Sequence, residues 1–235
     1  MIKHIRTLTV IYDNDINNNE VQLFRGAVLK SLGGSADLLY HNHTGDDTFR
    51  YSYPLIQYKR LKGKAAIVCV EQGVDMIGQF LTSIPEELQI GQRTIQPKVE
   101  MVQPNRMVVQ TWDSKFRYHL NRWLPLNAQN YQKYKETESM SERIQLLESI
   151  LKGNLLSFLK GLDIHLENEL TVSITNLGDS FLIRNKGIKL MAFNADFISN
   201  LSIPNNLGIG KNASIGFGIV HQYKNEKETK TDNQE

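Results

Sequence analysis

Residues 38–59, LLYHNHTGDDTFRYSYPLIQYK, hold two of the six histidines and four of the nine tyrosines of the chain. His41 and His43 stand two apart, with Asp46 and Asp47 shortly after them and Tyr40, Tyr51, Tyr53 and Tyr58 on either side. Imidazoles exchange protons near neutrality, so a pair of them can divide the roles of acid and base. In an extended segment, side chains two apart point to the same side, which would aim both rings at one reacting group. Carboxylates beside imidazoles can instead ligate a metal, and the alternation of Phe49, Tyr51, Tyr53 and Leu55 can form the apolar side of a strand. These residues alone leave all three readings open.

A second stretch, NLGIGKNASIGFGIV at 206–220, sets Gly208, Gly210, Gly216 and Gly218 in two Gly-apolar-Gly units with Lys211 between them. Glycine allows positive φ and close backbone approach. Exposed N–H groups beside a lysine can cradle phosphates. The strand–turn–helix setting and acidic partner of a dinucleotide fingerprint are missing, and no Gly-Lys-Ser/Thr follows to make a nucleoside-triphosphate loop. A tight hairpin in a β-rich domain is the alternative.

The elements that must position these groups are legible from periodicity. HIRTLTVIYD reads as a first strand, and Val21, Phe24, Val28 and Leu32 fall at helical spacing, with asparagines ahead as caps and Gly33-Gly34 as a stop. Lys30 lies opposite that apolar face, so it cannot be core. TFRYSYPLIQYK and KAAIVCVEQG form a strand pair across the turn RLKG; VDMIGQFLTSI is a second helix, and TIQPKVEMVQ and MVVQTWD supply strands. Residues 1–105 thus run β-α-β-β-α-β, the ferredoxin-like order. Residues 106–223 repeat the idea with the strand KFRYHLNRWLPL, a helix opened by Ser141, and the strands ELTVSITNL, SFLIRNKGIKLMAFNADFISN and ASIGFGIVHQY. The second of these three bends at Asn185-Lys186-Gly187. The fold class expected is α+β, two tandem ferredoxin-like domains with a C-terminal glycine-rich loop, followed by a disordered tail at 224–235 that has no apolar residue.

Composition excludes some classes. No apolar run is long enough to span a bilayer and the first residues carry no secretion signal, so a cytoplasmic protein with no membrane partner is expected. Cys69 is the only cysteine, which leaves no internal disulfide or cysteine-based zinc cluster; within AAIVCV it reads as core. The net charge of +2 means that a nucleic-acid site would be a local patch, not a general basic surface.

Read together, RGAVLKSL, HNH, FRYSYPLIQYKRLKGKAAIV and the C-terminal glycine loop resemble the CRISPR repeat-RNA-processing endoribonucleases, a branch of the repeat-associated superfamily, over nearly the whole chain apart from the tail. The resemblance implies a metal-independent enzyme without cofactor that cleaves within the repeats of a precursor transcript. The 2′-hydroxyl attacks the neighbouring phosphorus, leaving 5′-hydroxyl and 2′,3′-cyclic phosphate ends. It implies catalytic roles for His41, His43 and Lys30: the histidines move protons and Lys30 steadies the added negative charge. Tyr51 is preferred over Tyr53 as the tyrosine that bonds a phosphate or orients a histidine. Gly208, Gly210, Lys211, Gly216 and Gly218 are the expected RNA-binding residues. Repeat RNA is the expected partner, and the resemblance allows effector-complex proteins as others; monomer and homodimer both stay open.

Two other functions compete. A metal-dependent nuclease would use Asp46 and Asp47 as ligands beside the histidines, yet nucleases named for those letters space the three residues far apart. A non-catalytic RNA-binding subunit of a CRISPR effector complex would suit two such domains and a glycine loop, but has no need of the histidine pair.

Overall fold

The computed structural model describes residues 3–32, 53–185 and 187–223. His41, His43, Tyr51, the Gly33-Gly34 stop, Lys186 and the tail lie outside the described residues, as does the first part of the aromatic segment.

The first strand, β1 (His4–Asp15), is buried on both sides. Val10 and Tyr12 face α1 (Val21–Ser31), whereas Ile5 and Ile11 join the apolar cluster that runs on into the second half of the chain. Helix α1 buries Val21, Phe24, Ala27 and Val28, the stripe its spacing predicts. An asparagine side-chain cap does not form. Glu20 occupies the cap position without a capping bond, because its carboxylate accepts from Arg93 Nε (2.7 Å) and from the Asn17 backbone N–H (2.7 Å).

Strands β2 (Ile56–Leu61) and β3 (Lys64–Val70) pair as an antiparallel hairpin. Its two turn residues, Lys62 and Gly63, both take positive φ (50° and 91°), the backbone twist that a two-residue hairpin requires. Helix α2 (Gln72–Thr82) follows, then the small hairpin β4 (Leu88–Ile90) and β5 (Arg93–Ile95), and then β6 (Val99–Val108). The sheet order is β2-β3-β1-β6, all antiparallel. This is the ferredoxin-like arrangement. Cys69 is buried in it, and burial pushes its thiol up to about 12.

The second half has the same strand order. Strands β7 (Thr111–Trp123), β8 (Val172–Leu177), β10 (Ile188–Leu201) and β11 (Ile219–Gln222) form the sequence β11-β7-β10-β8, and β9 (Phe181–Asn185) is folded back on β10. Helix α3 (Ala128–Glu136) was not expected, since it buries no residue and has no apolar period to announce it; Asn127 caps it by accepting from Asn130 N. Helix α4 (Met140–Gly161) starts earlier than its sequence suggests. Ser139, not Ser141, is its cap. Its buried stripe, Leu147, Leu151, Leu155 and Phe158, packs with Tyr118, Leu120 and Phe197 of the sheet and with Ala66, Val68 and Val70 of the first half, in one shared cluster.

The two halves differ between the third and fourth strands of the sheet. The first has α2 there; the second runs from β10 to β11 through the glycine-rich segment, with no helix among the described residues. The expected strand over ASIGFGIVHQY shrinks to Ile219–Gln222, because positive φ at Asn212, Gly216 and Gly218 interrupts extended backbone before it.

Candidate active site and the glycine-rich segment

Lys30 is exposed on the last turn of α1, away from the buried stripe. A cation there also suits the negative end of the helix dipole. Of the other expected catalytic groups, His41, His43 and Tyr51 fall outside the described residues. Tyr53, the tyrosine passed over in favour of Tyr51, is structural. Its ring meets Phe158 edge-on at 5.0 Å and its hydroxyl donates to the Gly208 carbonyl at 2.9 Å. Burial raises its pKa well above the ordinary phenol value.

The Gly208 contact shows what the glycine-rich segment does inside the protein. The Gly208 N–H donates to Gln57 Oε1 (2.8 Å), Tyr58 N donates to Ser214 O (2.8 Å), and Lys59 Nζ lies 3.4 Å from Ala213 O. The segment is therefore stitched to β2 of the first half. It also crosses itself: Ile209 N donates to Gly218 O at 2.7 Å, and Gly218 N to Arg122 O at 3.1 Å. A Cβ on Gly218 would collide with the Ile209 carbonyl oxygen, and one on Gly208 would sit 2.7 Å from Ala213 O and 2.9 Å from Lys59 Nζ. Close chain crossing thus accounts for both of these glycines. Gly208, Gly216 and Gly218 are buried; Lys211 alone of the expected RNA-binding residues is fully exposed, with Gly210 partly so. Lys59 is completely buried beneath the segment, and burial lowers its pKa to about 7.

An acid–base constellation that local sequence does not reveal lies on the face of the second sheet opposite its core. His221, His119, Asp196 and Asn176 stand in cross-strand register on β11, β7, β10 and β8. His119 Nδ1 is 2.7 Å from Asp196 Oδ1, and the same carboxylate accepts from the Tyr223 hydroxyl (2.8 Å) and Asn176 Nδ2 (3.2 Å). Although burial pushes the Asp196 pKa up most, its three hydrogen-bond donors together hold it below the ordinary carboxylate value. Burial, followed by the nearby His119 and Lys59, lowers the pKa of His221. A carboxylate that accepts from one imidazole nitrogen orients the ring and leaves the other nitrogen for a ligand. Since His119 and Asp196 are 77 residues apart, no short motif could have flagged them. Among the described residues, no three histidine, cysteine or carboxylate groups converge as a metal site.

Tandem ferredoxin-like sheets define a fold class seen in solved structures. The type IV CRISPR–Cas Cas6 crRNA endonuclease Csf5 shares the fold at a TM-score of 0.59 and 10% identity, over 94% of this chain and all of that one. The narrower relationship follows from the family models. The Cas6b N-terminal domain matches residues 3–107 and the Cas6b C-terminal domain matches residues 110–223, so the chain belongs to the Cas6b family. A crystal structure of Cas6b is 29% identical with a TM-score of 0.85, covering 94% of this chain and all of that one. A second, described as the CRISPR RNA processing endoribonuclease Cas6b, is similar at 24% identity and a TM-score of 0.73, with the same coverage. An uncharacterized protein of Methanocaldococcus jannaschii, MJ0978, is 41% identical over 106 residues, spanning 45% of this chain and 70% of that protein.

Proposed function

We propose that the protein is an endoribonuclease that cuts CRISPR precursor transcripts within their repeats, without a metal ion. The observation that carries this reading is the match of both Cas6b domain models, which together span nearly the whole described chain. One imidazole of the His41/His43 pair takes the proton from a 2′-hydroxyl, whose oxygen attacks the adjacent phosphorus. The 5′-oxygen leaves with a proton from the other imidazole, giving a 5′-hydroxyl and a 2′,3′-cyclic phosphate. Lys30, exposed at the end of α1, stabilises the charge gathered on the phosphoryl oxygens, and Tyr51 holds a phosphate or a histidine in place. Lys211, at the exposed tip of the glycine-rich segment, holds the RNA backbone.

The test is incubation of the protein with repeat RNA in EDTA. Product with a 5′-hydroxyl and a 2′,3′-cyclic end is expected, and a 2′-deoxy nucleotide before the cut should stop the reaction. Cleavage of the deoxy substrate, or a requirement for a divalent cation, defeats the mechanism. Binding without any cleavage identifies a non-catalytic RNA-binding subunit instead. A second placement of the same chemistry rests on the oriented His119 with His221 beside it; it predicts that His119→Ala, not His41→Ala or His43→Ala, abolishes the cut.

A further inference from the structure

Strand β7 loses step with β10 near its end. Leu120 pairs with Ala195 and Trp123 with Phe193, so β7 carries one extra residue, a bulge of the kind that re-aims a side chain. Arg122 sits in that bulge at φ 53°, a left-handed conformation uncommon for a residue other than glycine. Its backbone is pinned on both sides: the N–H donates to Asn194 Oδ1 (2.8 Å) and the carbonyl accepts from Gly218 N (3.1 Å). That fixes the direction in which the side chain leaves the backbone.

The side chain runs across the Phe217 ring, with Cζ 5.1 Å from the centroid, into a groove. One wall is the turn entering α1, with Asn18, Asn19 and Gln22, and the other is β9, with Arg184; among the described residues the lining contains no carboxylate. Nε of Arg122 is buried and has no hydrogen-bond partner among the described residues. Burial and the like charge of Arg60 both lower the pKa of the guanidinium, yet arginine stays protonated in proteins. A half-buried cation without a counter-charge is costly, and breaking an ion pair by removing one partner is destabilising for that reason. The first turn of α1, bordering the same groove, has no side-chain cap, since Glu20 is engaged with Arg93 and Asn17. Unsatisfied N–H groups at a helix N-terminus favour an anion.

We propose that this groove binds one backbone phosphate of the RNA substrate, with the Arg122 guanidinium as its fork and Arg184 as a second cation. The inference rests on the RNA-cutting reading above and adds a site to it. Gln22 and Lys30 are eight residues apart on α1, or about 12 Å along the helix axis, so the groove holds a phosphate other than the one being cleaved.

The experiment uses the full chain and a fluorescent repeat RNA with a 2′-deoxy nucleotide at the cut, titrated over a range of KCl concentrations. Arg122→Met keeps the stem over Phe217 and removes the charge. Its dissociation constant should rise about tenfold, as for one lost charge-assisted contact. The slope of log affinity against log salt should shrink by roughly 0.7, and the melting temperature of the free protein should hold or rise. Arg122→Lys should keep the slope and recover part of the affinity. Unchanged affinity and slope in Arg122→Met overturns the proposal, as does a lowered melting temperature with affinity retained, which would mark Arg122 as a cover for Phe217. Should Arg122→Met not fold, Arg184→Ala on the exposed strand decides: a reduced slope supports the site and an unaltered one overturns it. An intact protein that cuts repeat RNA while these variants bind normally defeats the groove alone. An intact protein that neither binds nor cuts defeats both readings.

Discussion

Lys59 should make the protein more stable as the pH rises above neutrality. Its ammonium is completely buried under the glycine-rich segment, with the Ala213 carbonyl 3.4 Å away as its one hydrogen-bond partner among the described residues. Burial depresses its pKa from 10.5 to about 7, while the unfolded chain keeps the ordinary value. Below pH 7 both states are protonated and the folded state bears the full cost of a buried charge. Between pH 7 and 10.5 the unfolded state binds more protons, so stability rises with pH, by at most ~1.4 kcal/mol per pH unit for one group. From pH 7 to 9.5 the gain is about 3 kcal/mol. Stopping at 9.5 avoids Tyr53, whose raised pKa works in the opposite direction at higher pH. The assay is urea unfolding of the intact chain and of Lys59→Met at each pH, taking the difference to cancel every other group. Lys59→Met should be the more stable of the two at pH 6, and the gap should close as the pH rises. A pH-independent difference would refute the reasoning, as would a variant that is less stable at every pH.

The glycine-rich segment should separate stability from affinity. Gly218→Ala places a Cβ against the Ile209 carbonyl at φ 60°, and thermal unfolding should show a loss of about 2 kcal/mol or more. Lys211→Ala should leave the melting temperature unchanged and cut the salt slope of RNA binding by roughly 0.7; an unaltered slope removes this lysine from the RNA contact. Tyr53→Phe deletes the bond to the Gly208 carbonyl, so urea unfolding should show a loss of about 1 kcal/mol. No loss would mean that the carbonyl finds another donor.

The order of the elements was legible where helices repeat their apolar residues at a fixed period, as Phe24 and Val28 do in α1 and Leu147, Leu151 and Leu155 in α4, and where apolar runs such as that of β3 stand between turns. Helix α3 escaped notice for the same reason, having no buried residue. The sequence announced four glycines around Lys211, but not what they approach. Gly208 is held by Tyr53 and Gln57, more than 150 residues away, so a pattern compatible with phosphate binding is first a clasp between the two halves. Lys59 is buried because the second half covers that side of β2, which nothing in the local sequence marks. Arg122 and the His119–Asp196 pair depend on a bulge and on cross-strand register, and neither leaves a local signature.

The most direct test of the account is the single-turnover cleavage rate of repeat RNA in EDTA, at saturating enzyme, for the intact chain and for His41→Ala, His43→Ala and His119→Ala. Each of the first two variants should slow the cut by roughly 10²–10⁴-fold, the usual contribution of one proton-transfer group, while binding RNA nearly as tightly. His119→Ala should cut at close to the full rate. Full rates in both His41→Ala and His43→Ala, with the loss appearing in His119→Ala, would contradict the account and move the chemistry onto the open face of the second sheet.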